Sequence, residues 1–87
     1  MYLIVVYDVG VERVNKVCRF LKGYLPRVQN SVFEGDLPES KFQAMKVGLA
    51  KRIDTSLDSV LIWVLRDARW VDRQIMGNEK LPVGQFF

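Results

Sequence analysis

The run YLIVVYD at residues 2–8 decides how the rest of the chain is read. Six β-branched, aliphatic or aromatic side chains follow one another before Asp8 stops them, with no polar position between. A run of this kind is a strand covered on both faces, and therefore a strand inside a sheet. Gly10 lies just beyond and permits a tight turn. Val11, Val14, Cys18, Leu21 and Leu25 then recur at steps of three and four, which keeps them on one stripe of a helix. Gly23 weakens its last turn, and Pro26 ends it.

Residues 27–37, RVQNSVFEGDL, read as extended, and Gly35 is expected to divide them into two short strands. Pro38 and Glu39 suit the first turn of a second helix. Its apolar stripe is Phe42, Met45, Leu49 and Ile53. SVLIWVL at 59–65 is a second strand apolar on both faces, and WVDRQIM at 70–76 reads as a less buried strand. The order β-α-β(β)-α-β, with an additional C-terminal strand and two one-sided helices, is an α+β ferredoxin-like plan. Both helices lie on one face of an antiparallel sheet.

That plan leaves the other face of the sheet to be covered. A second copy packed sheet to sheet is the expected cover, with residues 78–87 a tail that pairs with the partner subunit. The competing reading is that LPVGQFF closes the sheet of its own chain. No repeat, low-complexity tract or linker interrupts the sequence, so residues 1–87 are expected to form a single domain. A chain this short buries only about 60–65% of its surface. With 49% hydrophobic residues it carries a surplus of apolar side chains, which favours an interface.

Counting excludes several chemistries. There is no histidine, which rules out Ser-His-Asp triads, Cys-His pairs and histidine-ligated zinc within the chain. The single cysteine, Cys18, forms no internal disulfide and no CxxC site. No signal peptide is expected, and no stretch approaches the roughly 20 apolar residues of a membrane span. A cytoplasmic location, with Cys18 reduced and no membrane partner, follows as the expectation. Catalysis would have to rest on carboxylates, hydroxyls, amines or a hard cation held by oxygen.

Asp8 stands where a buried strand emerges into a turn. It either shapes that turn or projects from a rigid scaffold as a functional carboxylate. If strand one lies near a two-fold axis, two Asp8 side chains face each other and offer a site for Mg²⁺ or Mn²⁺. Arg13 and Lys16 sit side by side on the first helix, Arg19 and Lys22 extend that basic side, and Arg27 follows at its end. They form either a phosphate track or an ordinary solvated face. Tyr7 and Phe33 could stack on bases or belong to the core. The net charge of +3 is compatible with nucleic acid if the basic residues gather on one face.

YLIVVYDV, the basic helix with RVNKV, and RVQNSVFEGDL closely resemble the CRISPR-associated Cas-two proteins. These open with an apolar strand ending in Tyr-Asp and carry a Gln-x-Ser-Val-Phe-Glu motif. The resemblance covers almost the whole chain; Asn30 stands where many relatives have an aromatic. It implies a homodimer of ferredoxin-like subunits with exchanged C-terminal strands, and Asp8 as catalytic residue and metal ligand for Mg²⁺ or Mn²⁺. It further implies endonuclease action on single-stranded RNA or double-stranded DNA, and spacer integration together with the Cas-one integrase. Tyr7, Arg13, Lys16, Arg27 and Phe33 would be the nucleic-acid-binding residues. The alternative within the same resemblance is a non-catalytic DNA-binding scaffold of the integration complex. An acylphosphatase-like reading of the fold needs an Arg-bearing phosphate loop after strand one, and DVGVER supplies only Arg13, already in the helix.

Overall fold

Residues 2–8 do form an inner strand. The computed structural model describes residues 1–77 and gives the order β1 (Tyr2–Asp8), α1 (Val11–Lys22), β2 (Arg27–Gln29), β3 (Val32–Asp36), α2 (Glu39–Ala50) and β4 (Ser59–Leu65). The strands lie in the order β2-β3-β1-β4, and every neighbouring pair is antiparallel. This is the expected α+β ferredoxin-like arrangement, a split βαβ unit in which β3 inserts between β1 and β2.

The period of two along β1 sorts its side chains between faces. Leu3, Val5 and Tyr7 are buried, and the core they enter contains Phe33 of β3, Val17 and Leu21 of α1, and Phe42, Met45 and Leu49 of α2. Directly paired residues share a face. Ile4 is opposite Glu34 and Trp63, and Val6 is opposite Val32 and Leu61, so these residues line the other side of the sheet. Leu61 is 55% exposed and Trp63 51%. The described residues thus leave an apolar sheet face half open to water.

Three details differ from the sequence reading. The stripe of α1 is centred on Val17 and Leu21, with Val14 and Cys18 partly buried beside them, while Val11 is 83% exposed. Val11 lies about 120° round the helix from Val17, outside the packed sector. The break in residues 27–37 falls at Asn30–Ser31 instead of Gly35, which is a regular β3 residue opposite Leu3. Glycine eases a close approach there, because a Cβ would come to 3.0 Å from the Pro26 ring and 3.2 Å from Leu25. Finally, WVDRQIM forms no strand. Ala68–Trp70 is a 3₁₀ turn capped by the Asp67 side chain, which accepts from the Arg69 amide at 2.9 Å, and residues 71–77 pair with no strand among the described residues. The expected tail pairing at 78–87 lies outside the described residues.

The two helices meet where the Phe20 ring lies against Gly48, with the Arg52 guanidinium 4.1 Å from its centroid. Glycine inside a helix costs about 1 kcal/mol relative to alanine, and here it makes room for the ring. Gly48→Val should therefore destabilise the fold by about 1–3 kcal/mol through overpacking. Thermal unfolding followed by circular dichroism checks this, and an unchanged or raised Tm would mean that Phe20 moves aside without penalty.

Candidate nucleic-acid and carboxylate site

The C-terminal end of β1 carries Asp8, exposed and opposite Ser59 of β4. Its surroundings are set by a second carboxylate. Asp58, with a fully buried side chain, accepts from Arg13 Nε at 2.6 Å and Nη2 at 2.8 Å, from the Gly10 amide at 2.8 Å and from the Asp54 amide at 2.8 Å. Charge-assisted, two-pronged pairing of this kind is strong and geometrically specific. It joins the loop after β1, the first turn of α1 and the turn before β4. Asp8 is two residues from one anchored point, Gly10, and opposite the neighbour of another, Asp58.

The Arg13 guanidinium holds the Asp58 carboxyl well below its ordinary value of 3.8; the Asp54 and Gly10 amides act in the same direction and burial opposes them. Arg13, expected on a phosphate track, thus has two of its nitrogens directed to Asp58, and Nη1 lies 3.7 Å from Glu12. Phe33, expected among the binding residues, is fully buried in the core, its ring centroid 6.1 Å from that of Tyr7. Lys16 is exposed and borders a shallow hollow of about 240 Å³ with Arg19, Phe20 and Arg52.

Tyr7 and Arg27 come together. They line a groove of about 340 Å³ between α1 and the β2–β3 hairpin. Arg19 and Lys22 of α1 add two further cations, and Asn15 and Asn30 add polar side chains. The Asn30 carbonyl accepts from Arg27 Nη2 at 3.1 Å, with the Tyr7 hydroxyl at 3.5 Å. Burial, and secondarily the adjacent Cys18, push the Tyr7 phenol up to about 12, so it is neutral at any ordinary pH.

At the other end of the bare sheet face, Glu34 is buried. It accepts from the Tyr2 hydroxyl at 2.7 Å and pairs with Arg73 at 3.2 Å. The sequence reading singled out neither Glu34 nor Asp58. Glu34 had a signal in the two-residue period of β3, which puts it on the same side as Val32 and Asp36. Among the described residues no three His, Cys, Asp or Glu side chains cluster as a metal site. Within one chain Asp8 is the one carboxylate that β1 contributes, so a cation held there would draw its other donors from backbone carbonyls, water or a second chain.

An antiparallel sheet in the order β2-β3-β1-β4, with both helices packed on one face and an exposed aspartate ending β1, defines a ferredoxin-like protein. The chain belongs to the CRISPR associated protein Cas2 family, whose family model matches residues 1–73. It is 53% identical to the CRISPR-associated endoribonuclease Cas2 of Pyrococcus furiosus, over 95% of each chain. It is 48% identical to that of Methanothermobacter thermautotrophicus, over 95% of this chain and 91% of the relative. A crystal structure described as cas2 superposes with a TM-score of 0.87 at 42% identity, covering 100% of this chain and 98% of that one. Streptococcus pyogenes Cas2 at pH 6.5 superposes at 0.73 with 33% identity, covering 85% and 99%. No helix among the described residues is long and apolar enough to cross a membrane.

The Asp58 clamp has a pH signature. A carboxyl whose folded value is depressed stabilises the native state above its unfolded value, and that contribution is lost as pH falls below about 4 towards the folded value. Asp58→Asn should lower Tm at pH 7, by about 5 °C or more. It should also flatten the dependence of Tm on pH below about 4. Equal slopes for both proteins would show that Asp58 is not an acid-sensitive anchor.

Proposed function

We propose that this chain is a CRISPR adaptation protein that acts as a homodimeric, metal-dependent endonuclease, with Asp8 as its catalytic carboxylate. The observation that carries the reading is the exposed Asp8 at the rim of a bare apolar sheet face, in a chain about half identical to proteins named endoribonucleases. Two copies that cover this face with each other would contribute one Asp8 apiece to a hard-cation site, and oxygen donors suit Mg²⁺ or Mn²⁺. When bound, such a cation supplies Lewis acidity and a lowered pKa for its water. Asp8 supplies negative charge to hold it, while the Asp58 clamp keeps the end of β1 in place. The names of the relatives favour RNA as substrate, and the motif resemblance extends this to duplex DNA and to spacer integration alongside the Cas-one integrase.

A non-catalytic scaffold is the second reading, and the engagement of Asp58 by Arg13, which leaves Asp8 as the one carboxylate that β1 offers, favours it. Asp8→Asn separates the two. The wild type should cleave single-stranded RNA when Mg²⁺ or Mn²⁺ is present, and the variant should lose cleavage while retaining its mass in light scattering and its affinity for RNA. A wild type that binds nucleic acid but never cleaves it would establish the scaffold.

Assembly and binding have their own tests. Trp63→Asp places a charge on the half-exposed sheet face and should shift the mass from dimer to monomer at micromolar concentration. A stable dimer in that variant would remove the face from the interface. For duplex DNA, each phosphate contact contributes about −0.9 to the slope of log affinity against log salt. Arg27→Ala should flatten that slope by about one unit. An unaltered slope would leave Arg27 with the hairpin alone.

A further inference from the structure

We infer that Ser59 is a positioning residue of the Asp8 site, its hydroxyl orienting the Asp8 carboxylate by hydrogen bond when a cation is held there. The inference rests on the metal-dependent reading above and deepens it by naming a second side chain of that site.

Strand register places the two side chains together. Asp8 and Ser59 are direct partners across β1 and β4, and both are exposed. Directly opposed residues of an antiparallel pair share a face, with Cβ atoms roughly 4.5–5.5 Å apart. A serine hydroxyl, which donates, and an aspartate carboxylate, which accepts, span that separation directly or through one water. The next rows on the same face are Val6 with Leu61 and Ile4 with Trp63. A polar pair therefore closes an apolar face, at the rim where the reading above puts the cation.

The neighbouring polar groups have other partners. Asp58, next to Ser59 in sequence, has both carboxylate oxygens engaged by Arg13, Gly10 and Asp54. The Ser56 hydroxyl is bonded to Asp54 at 2.6 Å. The clamp also makes the Asp8–Ser59 pair rigid. It holds Gly10, two residues beyond Asp8, and Asp58, one residue before Ser59, on a single buried carboxylate. The two backbones are tied together at the same end, so the spacing of the pair is set before a cation or a second copy arrives. The donor chemistry fits as well, because carboxylate and hydroxyl oxygens are hard and suit Mg²⁺ or Mn²⁺. Carboxylates that bind metals are themselves held by hydrogen bonds, and loss of such a partner typically costs about 10- to 100-fold in metal affinity or activity.

Mn²⁺ binding to the full chain is measured by electron paramagnetic resonance, which counts the free ion and needs no turnover, with RNA cleavage followed in parallel. Ser59→Thr and Ser59→Val are compared, because both are β-branched, fill the same shape on an exposed strand and differ at the hydroxyl. Ser59→Val should weaken Mn²⁺ affinity about tenfold or more, and Ser59→Thr should stay within about twofold of the wild type. At saturating Mn²⁺ the cleavage rate of Ser59→Val should return to within about twofold of the wild type, since the hydroxyl acts on the affinity of the site. Ser56→Ala, which removes the hydroxyl bonded to Asp54, should leave Mn²⁺ affinity intact. Equal affinities for Ser59→Thr and Ser59→Val overturn the inference; if Asp8→Asn still abolishes binding, the cation reading stands without Ser59. A rate for Ser59→Val depressed at every Mn²⁺ concentration also overturns it, by showing a structural role. A wild type that takes up no Mn²⁺ removes the cation site, and the role of Ser59 with it.

Discussion

Two helices can cover only one face of a four-stranded sheet, and this sheet is apolar on both. β1 must bury Leu3, Val5 and Tyr7 against α1 and α2, and the two-residue period then sends Ile4 and Val6 to the other side. Leu61 and Trp63 join them there by register. Full burial of a large apolar side chain is worth about 1.5–3 kcal/mol, so the half-exposed Leu61 and Trp63 would regain about half of that each. Counted on both copies of a symmetric pair, these two sum to about 3–6 kcal/mol, at the lower end of the roughly 4–15 kcal/mol lost on association. The face is thus sufficient to matter and small enough that one inserted charge should undo it.

The Asp58 carboxylate performs a different task at the same end of the sheet. Three backbone segments that share no strand pairing converge on its two oxygens. A buried ion pair contributes uncertain net stability but defines a geometry, since breaking it leaves a charge without a partner. Here the defined geometry is the end of β1, with Ser59 next to Asp58 in sequence and opposite Asp8 in the sheet. Arg13 thereby fixes the position of the strand end that carries Asp8.

Most of the fold was legible because it rests on period. The runs at 2–8 and 59–65 and the stripe Phe42, Met45 and Leu49 state their burial directly in sequence. Gly35 was misread because glycine both breaks strands and admits close neighbours, and only the position of Pro26 distinguishes the two. WVDRQIM was misread because its imperfect alternation mimics a strand, although Asp67 starts a capped turn just before it. At the candidate site, the exposed position of Asp8 was legible from the end of the apolar run, whereas the engagement of Arg13 with Asp58 was hidden. Its partner lies 45 residues downstream, and no local pattern connects the two. Half of the groove was visible as the basic side of α1; the other half required the hairpin turn at Asn30 to bring Arg27 back against it.

The central claim is that one active site is made from two chains, each lending its Asp8. Subunit mixing measures this most directly. Wild-type and Asp8→Asn chains are unfolded together, refolded in varying ratio at constant total concentration, and assayed for metal-dependent RNA cleavage. If both carboxylates are needed, activity should fall as the square of the wild-type fraction, because only dimers with two intact chains cut. A linear decline would show that each chain cleaves alone, and would contradict the shared site.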